Sequence, residues 1–170
     1  YYFGIDIPSL IGVIDIDNDK DYIFGTDFTL DDIVWMGEQK LLKAYAAEAG
    51  IENFIGMSEF EKFAAQLKKD KRDILLIPQY RADNIMKLSK ALELDPFKYD
   101  EHTSLNLIKA IIEQRNVKSQ TEIEEIEKAV NITKEMHITA MKTVKAGMKE
   151  YEVVAAIEAV TKKYYGETSF

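Results

Sequence analysis

The sequence contains no cysteine, and only three prolines, two histidines and one tryptophan in 170 residues. Without cysteine there is no disulfide framework, no thiolate metal site and no cysteine nucleophile, a composition that suits a reducing cytosol. No stretch approaches the ~20 consecutive apolar residues that a membrane span needs. No signal-peptide pattern is visible at the start, so the expectation is a cytoplasmic protein that does not engage membranes. Basic residues are outnumbered, with 22 Lys and Arg against 30 Asp and Glu, a net charge of −8. That sign argues against a nucleic-acid partner, which calls for a basic stripe or patch. The motifs G-x-S-x-G, G-x-x-x-x-G-K-[ST] and G-x-G-x-x-G are all missing.

What is present is an ordinary globular composition, 46% hydrophobic and 31% charged, enough for about one domain or one domain and part of another. The apolar run Leu10–Ile16, the turn residues Asp17-Asn18-Asp19-Lys20 and the run Tyr22-Ile23-Phe24 predict a β-hairpin. Thr29-Leu30-Asp31-Asp32 reads as a helix start that runs to Gly37. Leu41, Leu42, Tyr45, Ala46 and Ala49 recur at helical spacing within Glu38–Ala49, closed by Gly50. Asn53-Phe54-Ile55 suggests a short strand. Ser58 with Glu61 forms a capping-box pattern ahead of a helix that buries Phe60, Phe63, Ala64 and Leu67. Lys68, Lys69, Lys71 and Arg72 suit its negative dipole end. Asp73–Ile77 is expected as a further strand, stopped by Pro78, and 82–92 as a helix with Ile85, Leu88 and Leu92 inward.

Strands alternating with helices predict an α/β layer, a mixed sheet flanked by helices. After His102 the pattern becomes wholly helical. Ser104–Gln114 carries Leu105, Ile108 and Ile112 on one face. Ser119 and Glu122 cap a long helix closed by Gly147, whose apolar stripe is Ile123, Ile126, Val130, Thr133, His137, Ala140 and Val144. A last helix spans Glu150–Tyr165, with Val153, Val154, Ile157 and Val160. The boundary between the two textures is expected near Arg115.

Candidate chemistry is sparse. Asp15, Asp17, Asp19 and Asp21 invite comparison with a calcium loop, but the positions that require Gly and a bidentate Glu hold Lys20 and Thr26, so a solvated turn is expected. His102 and His137 have no metal-ligand spacing around them, and His137 is expected as a partly buried packing residue. Met136, Met141 and Met148 read as flexible core filler. The loop Pro78-Gln79-Tyr80-Arg81 offers the best local contact site. It follows a predicted strand end, where α/β folds place ligand contacts, and the Arg81 fork could hold a carboxylate. Tyr80 and Arg81 are therefore the substrate-binding candidates, against the plain alternative of a solvated loop. No catalytic or metal-ligating residue is assigned within the chain.

The run Arg115, Lys118, Ser119, Glu122, Ile123, followed by Ala129, His137, Ala140, Lys145, Gly147 and Glu150, resembles the opening of the pita-bread metallopeptidase domain of Xaa-Pro aminopeptidases and prolidases. Tyr1-Tyr2-Phe3-Gly4, the hairpin and Asp32-Ile33-Val34-Trp35-Met36-Gly37 resemble the creatinase-type N-terminal domain, the aminopeptidase P branch in particular. This resemblance implies residues 1–114 as that N-terminal domain with its start missing, and 115–170 as the truncated opening of the second domain. It further implies a cytoplasmic, homo-oligomeric hydrolase that releases an N-terminal residue preceding proline.

Its cofactor would be two divalent metal ions, manganese being expected, which activate a bridging water. The ligands implied are two Asp, one His and two Glu, all beyond this segment. Gly166-Glu167-Thr168-Ser169-Phe170 resembles the lead-in to the first active-site strand. The chain alone is thus expected to be inactive and to bind no metal, with its last two helices exposing their apolar stripe. The alternatives are a prolidase or creatinase-type hydrolase fragment, and a non-catalytic protein-binding module that keeps the fold.

Overall fold

The computed structural model describes residues 2–167. The chain divides into two compact units, between Ile108 and Lys109.

The first unit is built on a three-stranded sheet in the order β1-β2-β3, with β1 at Ile11–Asp15, β2 at Lys20–Gly25 and β3 at Asn53–Gly56. β1 and β2 form the expected antiparallel hairpin, and β3 joins β2 in parallel, so the sheet is mixed. Alternation along the strands separates two apolar faces. Ile11, Val13, Tyr22, Phe24 and Ile55 face Phe60, Phe63 and Ala64 of α3 (Phe60–Lys69) and Leu88, Ala91 and Leu92 of α4 (Ala82–Leu92). Phe24 is completely buried there, with the Phe60 ring edge-on at 5.1 Å and the Phe63 ring at 5.0 Å. On the other face Ile23 and Phe54 pack with Ala46 of α2 (Leu42–Glu48), Ile51, Phe3, Ile5 and Leu10. Gly12 lets the Phe3 ring lie on the sheet, since a Cβ at that position would sit 2.2 Å from Phe3 Cε2.

Helix α1 (Leu30–Met36) starts at Thr29 with a full capping box to Asp32 and ends at Gly37, whose φ of 79° is the left-handed region that favours glycine. It buries none of its residues. Helix α2 is shorter than Glu38–Ala49. Leu41 is extended, and the Leu42 N–H is capped by the Asp27 carboxylate at 2.7 Å, fifteen residues back, which fixes the start at Leu42.

Ser58 does not cap α3. It lies inside a 3-10 turn, Met57–Glu59, that runs straight into the helix, and no side-chain cap is made at Glu59. Asp73–Ile77 is not a strand of the sheet. It is extended, with Ile74 and Leu76 packed on the core, yet its one ladder contact is an isolated bridge from Leu76 to Thr103. Its alternation comes from packing on helices rather than from pairing with a strand.

Helix α5 (Leu105–Asn116) leads into the second unit. Its half-buried residues include Leu107, Ile108 and Ile111, whereas Leu105 and Ile112 are exposed, so the inward face is rotated from the predicted one. In the second unit α6 (Gln120–Thr143) packs against α7 (Glu150–Lys163). The Ser119–Glu122 capping box is present in both halves, at 3.3 and 2.8 Å. α6 ends at Thr143 because Val144 turns extended, ahead of Gly147, and α7 ends at Lys163 rather than Tyr165. The half-buried face of α6 includes Ile132, Met136 and Ala140, and the buried Thr161 hydroxyl of α7 lies 3.4 Å from Met136 Sδ. Ile123, Ile126, Val130 and Val144 are exposed, as is His137, which does not pack.

Candidate functional site

The loop 78–81 gains its shape from inside. Tyr99 is buried, at 2% exposure, and its hydroxyl donates to the Ile77 carbonyl at 3.3 Å. Burial pushes its phenol pKa up, against a hydrogen bond with the Gln79 side chain. The Gln79 amide donates to the same Ile77 carbonyl at 3.4 Å, while its oxygen accepts from Asn84 in the first turn of α4 at 3.3 Å. With Gln79 turned in, Tyr80 and Arg81 point out. Tyr80 is fully exposed and touches nothing that would lay its ring down. Arg81 is extended at the start of α4 and its carbonyl accepts the Asn84 and Ile85 amides. The two candidates therefore sit together on one backed-up loop, at the end of an extended segment instead of a sheet strand.

The hairpin acids are occupied by a different partner. Arg72, read from sequence as one of several cations at a helix end, grips Asp15 through both guanidinium nitrogens, at 2.5 and 3.0 Å, and reaches Asp17 at 2.6 Å. Asp15 also accepts the Asn18 backbone and side-chain amides at 3.2 and 2.8 Å. These bonds, those of Arg72 first and Asn18 second, hold the Asp15 carboxyl far below the usual carboxylate range. The hairpin turn is thus a clamped structural joint. Among the described residues no group of three or more His, Asp or Glu is placed to hold a metal ion.

Helix α1 presents Leu30, Val34 and Trp35 to solvent, Trp35 at 87% exposure. Beside it an open cavity of about 1010 Å³ lies between the segment Tyr2–Ser9, α1 and α2, with Phe3, Phe28 and Tyr45 in its wall. The sequence signals Tyr1 and Thr168-Ser169-Phe170 lie outside the described residues.

Residues 1–76 match the family model of the aminopeptidase P N-terminal domain. The chain is 26% identical over 156 residues to the human Xaa-Pro dipeptidase, covering 92% of this chain and 31% of that protein. It is 28% identical over 167 residues to the Emericella nidulans protein named Probable Xaa-Pro aminopeptidase pepP, covering 94% of this chain and 33% of the relative. Two solved structures of the E. coli aminopeptidase P, a low-pH form and a zinc-substituted form with product, superpose with TM-scores of 0.73 and 0.74. Their identities are 22% and 21%, over 95% of this chain and 39% of theirs. The mixed sheet with its flanking helices is accordingly the fold of the N-terminal part of aminopeptidase P. The chain is thus similar to aminopeptidase P and prolidase-type proteins, over residues 1–76 to their N-terminal domain, and spans about a third of the length of the curated relatives it matches.

Proposed function

We propose that the chain is the N-terminal part of an Xaa-Pro metalloaminopeptidase, which hydrolyses the bond between an N-terminal residue and proline. The observation that carries this reading is the match along 92–94% of the chain to proteins named for Xaa-Pro cleavage. Residues 1–114 are the creatinase-like N-terminal domain, and 115–170 the opening helices of the pita-bread metallopeptidase domain. The two divalent metal ions, manganese in this reading, are held by residues outside this chain, which supplies substrate-mouth and homo-oligomer contacts in a cytoplasmic enzyme. Tyr80 and Arg81 contact the peptide, the ring against its apolar part and the guanidinium on a carboxylate.

The test compares this chain with the full-length protein, each supplied with manganese, on an Xaa-Pro dipeptide and a longer Xaa-Pro peptide. Turnover by the full-length protein alone supports the reading, and turnover by the isolated chain overturns it. Relatives carry both dipeptidase and aminopeptidase names, so the same assay decides the branch: preference for the longer peptide is the expected result.

A further inference from the structure

We infer that Gln79, locked by Tyr99 and Asn84, is a positioning residue that presents the Tyr80–Arg81 pair to a carboxylate-bearing peptide. The inference rests on the proposed role of that pair and adds the device that makes it work.

A surface tyrosine ordinarily gains stability by lying against its neighbours, because its ring is a large apolar surface. Tyr80 does not, and its exposure is complete. Its neighbour Arg81 has no ion pair among the described residues, in contrast to Arg72, which is bound on both sides. An aromatic ring and an unpaired guanidinium standing side by side are the two side-chain types most enriched at binding hot spots. Such a pair binds well only if its loop is already fixed, since ordering a loop on binding subtracts from affinity.

The fixing is what the interior shows. The Ile77 carbonyl receives two donors, the Tyr99 hydroxyl and the Gln79 amide. Gln79 then links the loop to the first turn of α4 through Asn84. Each bond is modest alone. Together they connect the extended segment, the 3-10 turn Pro96–His102 that carries Tyr99, and α4, so the direction of residues 80 and 81 is set by three separate pieces of chain.

The experiment uses the full-length, metal-loaded protein and a peptide substrate with a free C-terminal carboxylate. Variants are Arg81→Ala, Gln79→Ala, Tyr99→Phe, which keeps the ring and removes only the hydroxyl, and the doubles with Arg81→Ala. Arg81→Ala is expected to raise KM with kcat unchanged. Gln79→Ala and Tyr99→Phe are each expected to raise KM about 3- to 10-fold, as one or two neutral hydrogen bonds would, again with kcat unchanged. In the doubles, that increase should shrink well below its single-variant size, because only Tyr80 is left to position. A KM unaffected by Arg81→Ala overturns the reading of the loop itself. An Arg81 effect with Gln79→Ala and Tyr99→Phe silent, or additive with Arg81→Ala, leaves the loop as a contact and overturns the positioning role.

Discussion

Ser89 lies in α4 at 2% exposure, and its hydroxyl is the one buried side-chain oxygen or nitrogen among the described residues that has no hydrogen-bond partner. Taking a hydroxyl out of water without giving it a partner costs about 1–3 kcal/mol. Ser89→Ala removes that cost. It also gains about 0.5 kcal/mol of helix propensity, since alanine loses no side-chain entropy and does not compete for the backbone. Against this stands the void left by one oxygen atom, which at ~24 cal/mol per Å³ is on the order of 0.2 kcal/mol. The sum is a stabilisation of about 1–3 kcal/mol, or about 2–4 °C in Tm for each kcal/mol in a chain of this size. Urea unfolding followed by circular dichroism should show a higher midpoint with an unchanged slope, the signature of a stability change without a change in exposed surface. A lower midpoint would refute the reasoning. It would mean that the hydroxyl has a bound water or a neighbour's carbonyl as its partner, and that losing the oxygen breaks a bond instead of relieving an orphan.

Two further outcomes follow from local geometry. Asp15 has its carboxyl pKa lowered in the folded chain, so its stabilisation is present above the unfolded value near 3.8 and is lost as pH falls below it. In Arg72→Met, Tm measured from pH 5 down to pH 2 should therefore fall less steeply than in the parent, and equal slopes would show that the clamp is not linked to folding. Ser119→Ala removes the hydroxyl that accepts the Glu122 amide at 3.3 Å, and should destabilise α6 by about 0.5–2 kcal/mol, seen as faster hydrogen exchange confined to its first turn.

Elements whose determinants lie close in sequence were legible. The hairpin, α1, α4 and the Ser119–Glu122 box each depend on residues within a few positions, and the structure places them as the patterns predict. Errors arose where a distant group decides. Asp27 sets the start of α2 from fifteen residues away, and no pattern within 38–49 could show it. Asp73–Ile77 has a strand's alternation without a strand's partner, because alternation reports which side is buried and not what is hydrogen-bonded. His137 shares a stripe with aliphatic residues, but burial depends on which face of α6 meets α7, and that face carries Met136. Loop chemistry alone singles out Tyr80 and Arg81 as candidates, and the structure places both exposed on one loop. The Tyr99 hydroxyl reaches Ile77 from 22 residues on, and Arg72 finds its partners 57 and 55 residues back, so neither was visible.

The parallel pairing of β2 with β3 has a consequence for how the first unit assembles. A hairpin such as β1–β2 closes locally, in about 1–10 μs, whereas parallel strands must wait for a crossover to be laid down between them. Here the crossover carries two helices with unequal shares in the work. α2 brings Leu42 and Ala46 into the buried interior beside Ile51 and so delivers the chain to β3, while α1 contributes no buried residue at all. Closure entropy grows only with the logarithm of loop length, so the excursion through α1 adds little to the barrier. Its sequence is therefore free to drift without slowing the assembly of the sheet, and a change of contact specificity at Trp35 can be made at almost no cost to folding.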